Sequence, residues 1–273
     1  MEKHARFRHN GASPPAPHHE ERMQDHFHRP NTDSAVETAR ADLAAAFRWA
    51  ARLDMHEGVC NHFSLLVPGR PDHFLINPHG RHFGEMRASD LLMVDADGKL
   101  VEGDSPPEPT AFFIHWRIHR AHPNAGCVLH THMPHATALT MLEGGRLEMA
   151  HQTALMFHDR IAYDDDYQGL ALDEGEGDRL ARVLGDKPIA FLANHGVVVT
   201  GATVAEAFDA LYYLERACRQ QVLAMSTGRP LKLVPPDVCE RTARQIDGER
   251  GNAFGHFAAL RRLLDRDEPD YRD

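Results

Sequence analysis

Two histidines separated by one residue end an apolar run, Cys127-Val128-Leu129-His130-Thr131-His132. On a strand, residues i and i+2 point to the same side, so both imidazoles can reach one ion. A third histidine, His195, follows a second apolar run, Ile189-Ala190-Phe191-Leu192, inside Asn194-His195-Gly196. Three histidines at the ends of buried strands are the usual construction of an open, catalytic divalent-metal site. A lone histidine in such a place reads as a core residue bonded to a backbone carbonyl. Two on one side, with a third in the same setting, favour the metal. A cation held this way keeps free coordination positions and acts as a Lewis acid. It can hold a hydroxyl beside a carbonyl or carboxylate and stabilise the enolate left when a carbon–carbon bond breaks. Aldol cleavage and decarboxylation both leave that enolate, so the three histidines serve either.

The elements that must position them alternate in type. Val36, Leu43, Phe47, Ala50 and Leu53 recur at helical spacing behind a capping box, Ser34-Ala35-Val36-Glu37. Short strands are expected over 63–67, 74–76 and 92–94, with Asp97-Gly98 turning the chain into 100–101. A helix over 111–120 ends at His122-Pro123. The strand over 127–130 follows, then helices near 134–141 and 178–184 and strands over 189–192 and 197–199. A second capping box, Thr203-Val204-Ala205-Glu206, opens a long helix that runs to Gly228. Alternating strands and helices predict an α/β class with helices on both faces of a central sheet.

The chain has 273 residues with 42% hydrophobic content, enough for one large core. Residues 1–32 are rich in His, Pro, Arg and Asn without an apolar period, and read as a disordered or loosely packed arm. Six of the 21 histidines lie before residue 31, in that arm. A single domain is expected over 33–240, followed by a charged extension over 241–273. The formal net charge of −10 argues against nucleic acid as a partner. No apolar run approaches ~18 residues, so no membrane-spanning helix is expected. The start of the chain lacks a signal core, and Cys60, Cys127, Cys218 and Cys239 are scattered without a CxxC pair. Reduced thiols in a cytoplasmic protein are the expectation.

Five motifs in order then resemble one family: Asn61-His62-Phe63-Ser64, Ile76-Asn77-Pro78-His79-Gly80, Ala88-Ser89-Asp90-Leu91, Val128-Leu129-His130-Thr131-His132 and Ala193-Asn194-His195-Gly196-Val197-Val198-Val199. From about Ser34 to Gly228 the chain is similar to the class II aldolase and adducin-head family. The resemblance implies a single-domain α/β/α layered fold with a central mixed sheet. It implies a homo-oligomer, a tetramer in the first instance, with sites at subunit interfaces. It also implies one divalent ion per subunit, zinc first and manganese second, on His130, His132 and His195.

The departures from the family are informative. The sugar-phosphate aldolases of this family carry a catalytic Glu four residues before a His that matches His115, and Ala111 stands there. Glu108, three residues earlier in Pro107-Glu108-Pro109, is the carboxylate placed to replace it as acid or base; it reads equally as a solvated loop residue. Where those enzymes approach phosphate with small residues, this chain has His62 and His79-Gly80. His62 and His79 would bind a substrate carboxylate as cations, or else serve as bonded structural histidines. Asn61 would position the substrate or its loop. His151 stands near the position of an interface tyrosine that donates a proton in some aldolases. Tyr163, Tyr167, Tyr212 and Tyr213 are further candidate proton donors from a neighbouring subunit, although the long helix carrying Tyr212 and Tyr213 reads rather as an oligomer or core surface. These residues predict a metal-dependent carbon–carbon lyase, aldolase-type or decarboxylase, on a small non-phosphorylated hydroxy-carbonyl or hydroxy-carboxylate. The competing reading is a non-catalytic adducin-like interaction module.

Overall fold

Leu43, Phe47 and Ala50 recur on one stripe of helix α1 (Thr32–Arg52), and all three are fully buried. The helix opens two residues before Ser34, so the expected capping box lies inside it. There the Ser34 carbonyl accepts from Thr38 Oγ1 at 2.9 Å. The computed structural model describes residues 32–105, 107–122, 124–169, 174–249 and 251–273. The arm expected over 1–32 lies outside the described residues, Thr32 excepted.

The strands are β1 (His62–Val67), β2 (Arg70–Ile76), β3 (Leu92–Asp95), β4 (Leu100–Glu102), β5 (Cys127–Thr131), β6 (Ile161–Asp164), β7 (Ile189–Leu192) and β8 (Gly196–Gly201). They form one sheet in the order β4-β3-β2-β1-β5-β8-β7-β6. β6 pairs in parallel with β7, and the other neighbours are antiparallel, so the sheet is mixed. The edge strand β6 has no sequence forecast, because Ile161-Ala162-Tyr163-Asp164 lacks the continuous apolar run that marks β7. The remaining helices are α2 (Pro109–Ala121), α3 (Pro134–Thr140), α4 (Glu174–Leu184), α5 (Val204–Met225), α6 (Pro236–Asp247) and α7 (Asn252–Asp267).

Alternation along the strands sorts the residues into layers. Leu129 of β5 and Val197 and Val199 of β8 join Phe47 of α1 and Phe208 and Leu211 of α5 in one core. Val128 and Val198 point the opposite way, against Ile114 and Ile118 of α2 and Leu180 of α4. The result is an α/β/α sandwich. His130 shares the α2 side of β5 with Val128, two residues back, so the metal-side chemistry lies on the thinner helical layer.

The C-terminal residues are part of this core. The expected boundary after residue 240 falls within α6, and residues 31–273 form one compact unit. Phe257, Leu260 and Leu264 of α7 are buried in the core, with Tyr271 beyond. Arg48 of α1 pairs with Glu268 at 3.1 Å and Asp270 at 2.9 Å, and Trp49 Nε1 donates to the Leu260 carbonyl at 3.0 Å. Charge dominates the composition of this segment, but its apolar residues recur every three or four positions and face α1 and α5.

Candidate metal centre

His130 ends the ladder between β1 and β5, opposite His62, and faces Val198 of β8 on its other side, one residue before the β5–β8 ladder ends. His132 lies one residue past β5. His195 sits in the tight turn joining β7 to β8, where Asn194 adopts φ of 56°. That left-handed conformation is tolerated by Asn because its short polar side chain bonds locally. The turn is tied in place by Asn194 N–H donating to the Thr140 carbonyl at 3.0 Å and Ala193 N–H to the Asp164 carbonyl at 2.9 Å. Gly196 lets the two strands meet closely. A Cβ there would lie 2.5 Å from the Thr131 carbonyl oxygen and 2.8 Å from His132 Cδ2.

These elements bring the three imidazoles together. Ring centroids lie 5.1 Å apart for His130 and His132, and 4.8 Å from each of these to His195. Their candidate ligand nitrogens all lie within 4.8 Å of one another. The far side of two rings is already engaged. His130 Nδ1–H donates to the Val197 carbonyl at 3.0 Å, which leaves Nε2 as a lone pair. His132 Nδ1 lies 2.5 Å from Glu57 Oε2, and its Nε2 is buried with no partner. An outer hydrogen bond that fixes the tautomer and frees one nitrogen is how metal-binding histidines are held. The donor set fits a divalent ion.

The electrostatics agree. Burial pushes His130 well below the ordinary imidazole range, and the neighbouring His195 and His132 push further. Burial lowers His195 to about 4, with His132 adding to it. Both rings are therefore neutral at physiological pH, the form that coordinates.

The other expected site residues divide. His62 stacks on His130, centroids 6.3 Å apart and planes 18° from parallel. Its Nε2 lies 3.7 Å from Glu108 Oε2. Burial lowers His62 to about 4, partly opposed by Glu108. Glu108 is the N-cap of α2: its Oε2 accepts from Ala111 N–H at 2.8 Å and from Thr110 Oγ1. Burial raises its pKa, but these bonds outweigh it and the carboxyl sits below its usual range. Glu108 is thus neither a solvated loop residue nor part of the three-nitrogen cluster; it faces His62.

Asn61 is a clamp. Its Oδ1 accepts from Glu57 N–H at 2.7 Å and from His132 N–H at 3.4 Å, so one side chain holds both the Glu57 loop and the His132 backbone. Its Nδ2 is buried without a partner. His79 and Gly80 are exposed just past β2, Gly80 at φ of 78°. His151 is exposed and caps its own turn, Nδ1 accepting from Thr153 N–H at 3.2 Å. No ring contact joins it to the three histidines among the described residues. Tyr163 OH accepts from Leu147 N–H at 3.2 Å, and Tyr212 and Tyr213 pack on His256. Tyr167 reaches the centre within its own chain, its ring 6.3 Å from His195 and half exposed. Sequence reasoning did not find Glu57, which lies in an aperiodic loop and meets His132 across 75 residues.

The model of the class II aldolase and adducin N-terminal domain matches residues 41–222, two thirds of the chain. The chain belongs to that family. Over 240 residues it is 38% identical to a Caulobacter vibrioides protein classed with the class 2 aldolases, covering 86% of this chain and 92% of that one. Human beta-adducin is 37% identical over 240 residues, which cover 82% of this chain but 32% of that much longer protein. Among solved structures, an aldolase II superfamily protein from Pseudomonas syringae is 37% identical with a TM-score of 0.82, covering 90% of this chain and 98% of that one. The fold also superposes on L-fuculose 1-phosphate aldolase from Glaciozyma antarctica, TM-score 0.79 at 24% identity, covering 96% of this chain and 97% of that one. No described helix is long and apolar enough to cross a membrane.

Proposed function

We propose that this family member is a metal-dependent carbon–carbon lyase, aldolase-type or decarboxylase, acting on a small non-phosphorylated hydroxy-carbonyl or hydroxy-carboxylate. The observation that carries the reading is the convergence of His130, His132 and His195 within 4.8 Å, with His130 held from behind by the Val197 carbonyl and His132 by Glu57. A divalent ion on these nitrogens, zinc first and manganese second, would supply Lewis-acid stabilisation of developing negative charge.

The chain's own groups supply the rest. His62, neutral at physiological pH, is placed between the three histidines and Glu108. It takes the proton of a substrate hydroxyl at a ring nitrogen. The Glu108 carboxylate, held ionised by the α2 N-terminus, offsets the charge that His62 then carries. His79 and Gly80 form the outer rim past β2, where a bulky imidazole stands in place of the small residues that approach a phosphate. That favours a carboxylate or an uncharged terminus on the substrate. Asn61 holds the loop and the His132 backbone in register.

Metal analysis of the chain shortened to residues 32–273 tests this, since the histidine-rich arm is then absent. About one divalent ion per subunit is expected, and its loss in the His130→Ala/His132→Ala double variant. The metal-loaded protein is then screened against hydroxy-carboxylates, with carbon dioxide and aldehyde release followed together. Unchanged metal content in the double variant, or no turnover across the panel, would leave the interaction-module reading standing.

A further inference from the structure

Beneath β1, on the α2 side of the sheet, lies a buried chain of hydrogen bonds that the proposed chemistry has not used. Ser64 sits two residues from His62 on the same face of β1. His115 and His119 are one turn apart on α2, so they face it together. Ser64 Oγ lies 2.6 Å from His115 Nδ1 and 2.8 Å from His119 Nε2. His119 Nδ1 lies 2.5 Å from the Ala125 carbonyl oxygen. All four residues are buried.

Counting protons fixes every group in this chain. A carbonyl only accepts, so His119 Nδ1 carries hydrogen and donates to Ala125. A second proton on His119 would put a cation in a fully buried site, and burial lowers this ring to about 4. His119 Nε2 is therefore a lone pair, and Ser64 must donate its one hydrogen to it. Ser64 Oγ then has only an acceptor role left towards His115, so His115 Nδ1 carries hydrogen. It follows that His115 Nε2 is a bare lone pair. That nitrogen is fully buried and has no partner. The His115 ring stands edge-on to His62 at 6.1 Å, and His62 stacks on His130. An unmatched acceptor inside a protein costs about 1–3 kcal/mol, and such atoms are tolerated where a ligand completes them.

We infer that His115 Nε2 is a hydrogen-bond acceptor built to receive a hydroxyl donor entering beside His62, from a substrate or from a water that precedes it, and that Ser64 and His119 are positioning residues that hold it in this form. The inference deepens the lyase reading, because it supplies a specific contact for the substrate hydroxyl as it enters, before its one hydrogen turns to His62. A neutral imidazole that only accepts also discriminates: a substrate presenting a carbonyl or carboxylate oxygen there would meet a lone pair and be rejected.

The test uses the full chain, zinc-loaded and labelled with nitrogen-15 at histidine, with glycolate as the probe. Two-bond proton–nitrogen correlation spectra report which ring nitrogen bears hydrogen. His115 and His119 are expected as Nδ1–H forms. Ser64→Ala is expected to release His115 to the commoner Nε2–H form with zinc content unchanged, and Ser64→Thr to restore Nδ1–H. Saturating glycolate is expected to shift the His115 Nε2 resonance and leave that of His119 in place. A His115 that bears hydrogen on Nε2 in the unmodified chain overturns the inference. So does a His115 resonance that stays fixed while glycolate shifts His195, in which case the lyase reading survives alone. If zinc does not bind and neither ring responds, both fall together.

Discussion

At the scale of single residues, the centre is governed by what stands behind each imidazole. Glu57 touches no candidate ligand nitrogen, yet it fixes His132 by accepting from Nδ1. Partners of this kind typically contribute 10–100-fold to metal affinity. Glu57→Gln is therefore expected to weaken zinc binding by about that factor, read by competition with a chromogenic chelator; an unchanged affinity would make Glu57 a bystander. Glu108 works through His62. Glu108→Gln keeps the shape and most of the α2 cap, with a stability cost of about 1 kcal/mol or less. It removes the charge opposite His62, and turnover is expected to fall by about 10²–10⁴-fold with metal content intact. Near-full turnover would reduce Glu108 to a helix cap. His130 and His132 were legible in the sequence because the two-residue strand period puts them on one side, and His195 because it closes a second apolar run. Glu57, Ser64 and His119 were not, since each meets its partner across 51 to 75 residues and no local pattern encodes that.

At the scale of elements, the ladder between β5 and β8 sets the geometry of the centre. Gly196→Ala would place a Cβ against the Thr131 carbonyl, which is backbone and cannot swing away. The strands must part, at a cost of about 1–3 kcal/mol. Urea denaturation is expected to show that loss, together with zinc affinity weakened about tenfold or more. Helix α2 carries a pH dependence. Burial lowers His119 to about 4 from 6.5. Because the unfolded chain binds this proton more readily, the stabilisation is fully present above about pH 6.5. It is lost progressively as pH falls towards 4 and is then constant. The span corresponds to roughly 3 kcal/mol. The urea midpoint of the wild-type chain should therefore fall more steeply from pH 7 to pH 4.5 than that of His119→Gln. Parallel slopes would contradict this. Strands with continuous apolar runs, β5 and β7, were forecast nearly to the residue. β6 was missed because its pairing with β7, not its own sequence, makes it a strand.

At the scale of the molecule, residues 31–273 fold as one unit, and the segment beyond 240 belongs to its core. Composition hid this, since charge outnumbers apolar residues there and only the packed structure shows which face is covered. The family resemblance leads us to expect a homotetramer with centres near subunit contacts; light scattering on the active fraction checks it, and a fully active monomer would refute it. The order of the sheet has a kinetic consequence. The centre needs β5 flanked by β8 and the Glu57 loop, contacts that span 67 and 75 residues. Local hairpins such as β1–β2 close early, whereas pairings of this separation carry the largest loop-closure entropy and close late. Metal capture would then mark the completion of folding: a newly made or refolding chain acquires its ion only once the central ladder has zipped, and partly folded chains are barred from it.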